Sequence, residues 1–96
     1  MAPGVQWARC VPTISRFFGI VIAMYFEDHA PPHFHARYGK ARAVFRIDPL
    51  GLLHGELPPR AFGLVMEWGR VHRAALLDDW ERARRGEPLA SIPPLD

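Results

Sequence analysis

The apolar residues of this chain change their spacing twice, and each change predicts a different element. The run Ile20, Val21, Ile22, Ala23, Met24, Tyr25 is continuous, β-branched and aromatic, which predicts a central strand over 19–26 covered on both sides. Glu27-Asp28-His29-Ala30-Pro31-Pro32 ends it, because neither proline can donate a ladder hydrogen bond and each restricts the residue before it. His33 to Ile47 then alternates around Gly39-Lys40, a glycine-led pair suited to a tight hairpin turn. A two-residue loop pairs Tyr38 with Ala41, Ala36 with Ala43 and Phe34 with Phe45, all on one apolar face. The opposite face then sets His33 across from Arg46, His35 across from Val44 and Arg37 across from Arg42. That face is polar and cationic.

Asp48-Pro49-Leu50-Gly51 predicts a turn, and Leu52-Leu53-His54 a short further strand. From Pro59 to about Arg85 the spacing becomes helical, with Phe62, Val65, Met66, Val71, Leu76 and Trp80 on a stripe and Trp68 just off it. Pro58 and Pro59 suit a first turn that has no use for their missing N–H groups, Arg82, Arg84 and Arg85 suit the last, and Gly86 stops it. Gly69 is the expected kink. Glu87 to Asp96 reads as an extended tail that packs Leu89, Ile92 and Leu95 back onto the domain. The expected fold is therefore α+β: an antiparallel sheet of three to four strands followed by one long, kinked, C-terminal amphipathic helix and a tail. Met1 to Cys10 show neither period and are expected to be a loose extension, leaving 11–96 as a single domain.

Composition narrows this further. A chain of 96 residues, 49% apolar and 11% aromatic, has material for one modest core. No apolar run approaches the roughly 18 residues of a membrane span. The start lacks a charged stretch, an apolar middle and a small-residue cleavage site, so no signal peptide is expected. The single cysteine, Cys10, excludes an internal disulfide and a cysteine-rich zinc site, and a cytoplasmic protein is expected. The formal charge of +2 hides an asymmetry: six basic against three acidic residues through Asp48, and six against seven after it. The strand half is the cationic half, without the dense basic stripe of a dedicated nucleic-acid binder.

Two constellations on the polar hairpin face can carry chemistry. Residues two apart on a strand point the same way, so His33 and His35 can act on one ligand, and His29 or Asp28 would complete a three-ligand set for zinc or another divalent metal with a position left for water. Alternatively, with no cofactor required, His33 and His35 serve as general acid and base while Arg37, Arg42 and Arg46 hold phosphate oxygens, which is equipment for metal-independent RNA cleavage. Arg37 opposite Arg42 is unfavourable unless an anion, an acidic partner or solvent separates them. The mixed charges after Glu67 read as a solvated helix face.

Four segments carry a resemblance: Val11 to Gly19, Asp28 to His35, Gly55 to Pro58 and Trp80 to Ala83. From about Val11 to its C-terminus the chain resembles a small bacterial domain-of-unknown-function family, DUF4160. Members typically begin with methionine where this chain has Val11. The resemblance thus implies that Met1 to Cys10 are a start-site misassignment, a GTG start being read internally as valine. It also implies a toxin-like component of a type II toxin–antitoxin pair, with a small antitoxin-like protein as partner. Asp28, His29, His33 and His35 match the family's motif, whereas Arg37 and Arg42 stand at variable, often acidic positions. The function expected is that of a toxin-like protein acting on RNA through His33 and His35. The alternatives are a non-enzymatic protein- or nucleic-acid-binding module and a metal-dependent enzyme of unknown substrate.

Overall fold

In the computed structural model, which describes residues 12–96, a five-stranded antiparallel sheet in the order β1-β2-β3-β4-β5 is followed by two helices. The strands are β1 (Thr13–Phe17), β2 (Ile20–Ala23), β3 (His33–Tyr38), β4 (Ala41–Arg46) and β5 (Gly51–Gly55); the helices are α1 (Pro59–Val71) and α2 (Arg73–Arg84). The extension expected over Met1 to Cys10 lies outside the described residues.

The extra strand is β1. Phe18 and Gly19 both take positive φ, 49° and 80°, and this two-residue turn divides the apolar run that begins at Phe17 between two strands that pair Phe17 with Ile20. The strand expected to be central and covered on both sides is neither. Ile20 and Ile22 are fully buried, but Val21 and Ala23 point to the other face and are half-buried, and the middle of the sheet is β3. The β3–β4 hairpin has the expected register throughout, from His33 opposite Arg46 to Tyr38 opposite Ala41. β5 forms where Leu52-Leu53-His54 predicted a strand.

One face of the sheet makes the core. Ile20, Ile22, Phe34, Ala36, Ala43 and Phe45 pack beneath Ala61, Val65 and Trp68 of α1 and Leu76, Trp80 and Ala83 of α2. Burial of a side chain the size of Phe34 contributes about 1.5–3 kcal/mol. Trp68, off the predicted stripe, is instead at its centre: its ring lies 5.3 Å from Phe17 and 5.7 Å from Phe34. Its indole N–H donates to the Pro93 carbonyl at 2.9 Å, which holds the tail. The Ile92 N–H donates to the Ile14 carbonyl at 2.8 Å, so the tail also covers the free edge of β1.

The single helix kinked at Gly69 is corrected to two helices meeting at His72, whose φ of −107° and ψ of 24° leave the helical region. The ladder continues across it, since the His72 N–H donates to Trp68 and the His72 carbonyl accepts from Leu76. Gly69 stays helical, and its missing side chain serves packing: a Cβ there would meet Leu50 at 3.1 Å. Val71, expected on the buried stripe, is 69% exposed, because the stripe runs through Ala61, Val65 and Trp68 and turns residue 71 away.

Both helices pack on that one face, with Trp80 of α2 also reaching His33, and the other face of the sheet is open around Arg37 and Arg42. Gly55 helps shape it. Its φ is 75°, and a side chain there would strike the Arg42 carbonyl. This close approach, beside a β4–β5 irregularity between Val44 and Phe45, sets His54 opposite Val44. Among the described residues no helix is long and apolar enough to cross a membrane.

Candidate metal centre

His33 and His35 stand at alternate positions of β3, and the loop between β2 and β3 brings Asp28 to them. That loop is tied down at both ends. Glu27 takes a φ of 55° and its N–H donates to the Ala83 carbonyl at the end of α2, at 3.2 Å. The Ile47 N–H donates to the Pro32 carbonyl at 3.0 Å, extending the hairpin ladder to the loop's far side. The Asp28 carboxylate is fixed by the His29 N–H, which donates to Oδ1 at 2.8 Å. Oδ2 is left for the imidazoles, with His33 Nε2 at 2.9 Å and His35 Nε2 at 3.6 Å.

The protons on these atoms follow from their partners. His33 Nδ1 lies 2.7 Å from the Pro31 carbonyl; a carbonyl only accepts, so Nδ1 carries the hydrogen. In a neutral ring His33 Nε2 then presents a lone pair to Asp28 Oδ2. Burial raises the Asp28 pKa, but the His29 N–H and the two imidazoles outweigh it and hold the group below its ordinary value. The carboxylate is therefore ionised and cannot supply a proton. Two acceptors 2.9 Å apart require a cation between them, either a proton that makes His33 an imidazolium or a metal ion.

His35 decides how many ligands that cation could have. Its ring stacks on Tyr25 at 4.2 Å and meets His33 edge-on at 5.3 Å. Its Nε2 is buried, and Asp28 Oδ2 at 3.6 Å is too far for an ordinary hydrogen bond. Burial, and then the neighbouring His33, push the His35 pKa down, with only partial opposition from Asp28. The ring is held neutral. A buried ring nitrogen without a partner is costly unless something binds it.

One donor atom from each of Asp28, His33 and His35 lies within 4.8 Å of the other two. A tetrahedral zinc with bonds of about 2.0–2.1 Å needs donors roughly 3.4 Å apart, which the Asp28–His35 contact of 3.6 Å approaches and the Asp28–His33 contact of 2.9 Å would reach by opening slightly. Trp80 closes the site from α2, with its ring 5.1 Å from that of His33.

The structure brings together Asp28, His33 and His35 but not His29, which is exposed and contributes only its backbone N–H. Arg37 and Arg42 are direct neighbours on the open face. Arg46 leaves them, its Nε–H donating to the Pro49 carbonyl at 2.9 Å. Tyr25, Trp80 and the Pro31 carbonyl escape sequence reasoning. The Pro31 carbonyl has a local signal in its position two residues before His33, whereas Tyr25 and Trp80 reach the site only through the tertiary fold.

The family model described as Domain of unknown function (DUF4160) matches residues 19–81, which include the whole cluster. No curated protein and no solved structure matches the chain.

Proposed function

The chain belongs to the DUF4160 family, and we propose that its Asp28, His33 and His35 form a zinc-type divalent-metal centre that carries out hydrolysis. The observation behind this is the convergence of three Lewis-base atoms, one of them a buried nitrogen with no other partner. The Nδ1–H bond from His33 to the Pro31 carbonyl is the support that metal-ligating histidines use to fix tautomer and ring orientation. The stacking of His35 on Tyr25 and the His29 N–H bond to Asp28 hold the other two ligands in the same way. Bound there, the ion supplies a Lewis acid and an open position at which water ionises near neutral pH.

The test is titration with cobalt(II), a spectroscopic substitute for zinc. One equivalent should bind with the intense visible bands of a four-coordinate ion, and Asp28→Asn, His33→Ala and His35→Ala should each weaken binding by at least about ten-fold, whereas His29→Ala should not. Equal binding by all four variants would remove the proposal.

A metal-free alternative has one observation in its favour. His33 and His35 share their face with Arg37 and Arg42, the layout expected of a toxin-like ribonuclease whose histidines act as acid and base and whose cationic face takes a small antitoxin-like partner. Induced expression separates the two readings. Growth arrest and RNA cleavage that survive Asp28→Asn and chelation, yet are lost in His35→Ala, would replace the metal reading.

A further inference from the structure

A groove of about 390 Å³ runs across the open face of the sheet, and His35 forms part of both this groove and the metal cluster. Val21, Ala23 and Val44 give it an apolar lining, and Arg37, Arg42 and His54, from β3, β4 and β5, a nitrogen-rich one. Among the described residues no aspartate or glutamate lines it. Arg37 and Arg42 are paired in register and exposed, and among the described residues neither takes part in an ion pair. Two guanidinium groups directly opposite each other on a sheet repel. By contrast, Arg82, Arg84 and Arg85 of the C-terminal segment each sit beside a carboxylate.

We propose that this groove binds a phosphoryl group through Arg37 and Arg42, with His54 on the β5 side, which makes the substrate of the neighbouring centre a phosphate ester. A phosphate carries up to two negative charges and several acceptor oxygens, and each guanidinium presents a planar fork that matches two of them. One anion between the two arginines turns their repulsion into a pair of charge-assisted contacts. The apolar part of the lining suits the remainder of the ester, and His35 joins the anion site to the metal ligands. That the anion is a substrate group rests on the metal-centre reading; that the groove binds phosphate does not.

The experiment is a titration of the metal-free full chain with inorganic phosphate at constant ionic strength, followed by two-dimensional NMR that includes the arginine Nε–H signals. Saturable shifts should centre on residues 35, 37, 42 and 54. The double variant Arg37→Gln/Arg42→Gln, verified as folded by circular dichroism, should weaken binding by at least ten-fold, on the order of two lost charge-assisted contacts. Arg84→Gln/Arg85→Gln should not. Asp28→Asn should keep phosphate binding while losing metal, so failure of the metal centre and failure of the groove register separately. A parallel titration with dimethyl phosphate distinguishes the source of the group: saturation places the substrate among diesters, and binding of inorganic phosphate alone places it among monoesters. Shifts outside the groove, or undiminished binding by the double variant in the groove, would overturn the proposal.

Discussion

On one side of the β3–β4 hairpin Phe34, Ala36, Ala43 and Phe45 are 0–3% exposed beneath the helices. On the other, His33, His35, Arg37 and Arg42 face the opposite way from the same two strands. The first set is explained by packing: each side chain removes apolar surface from water, and substitution would cost stability. The second set has no such explanation. It leaves a buried histidine nitrogen without a hydrogen-bond partner, sets an ionised carboxylate against a ring nitrogen that must carry a cation and places two arginines opposite each other. Residues that lower the stability of the isolated fold are best understood through what they bind.

Substitutions can break this contrast. The largest effect is expected from Phe34→Ala, a cavity against Phe45 and Trp68 that should cost about 3–5 kcal/mol in denaturant unfolding. A loss below about 1 kcal/mol would mean that the core face is not packed as described.

A smaller effect is expected from the two carboxylates that the faces treat differently. Asp28 is held down by its partners, whereas Asp79 is 1% exposed in α2, and burial pushes its pKa up against the offsetting Ala90 N–H and Arg82 charge. A raised folded pKa means that the Asp79 contribution is fully present below its ordinary value of 3.8 and is lost as pH rises through the higher folded value. Asp79→Asn should flatten this part of the stability-against-pH curve, and an unchanged curve would remove the assignment.

The smallest effect is expected from Arg42→Gln. Relief of like charge should leave stability unchanged or raise it by up to roughly 0.5 kcal/mol. A loss above about 1 kcal/mol would show that Arg42 serves the fold, and the contrast between the faces would fail.

The hairpin was the most legible part of the sequence, because strict alternation around Gly39-Lys40 leaves one register that buries Phe34 and Phe45. The same parity placed His33 and His35 together. β1 was hidden because Phe18 adopts the left-handed region, so the reversal falls within an apolar run that reads as one strand. The break at His72 had no signal either: Gly69 was the weaker helix former by propensity, but Leu50 packs where its side chain would be. The choice of Asp28 over His29 as neighbour of the two histidines depends on the path of the loop, which Glu27 fixes through a hydrogen bond to the distant Ala83. Arg46 has the right parity for the arginine cluster, yet the chain turn supplies it with the Pro49 carbonyl instead.

The central claim, that the open face is completed by a metal at Asp28, His33 and His35, is tested most directly by equilibrium unfolding with and without zinc. At a free zinc concentration about one hundred times the dissociation constant, the folded protein should gain about 2.7 kcal/mol, and this gain should vanish in Asp28→Asn and His35→Ala but persist in His29→Ala. Identical unfolding curves with and without zinc, or a gain that survives both substitutions, would contradict the account.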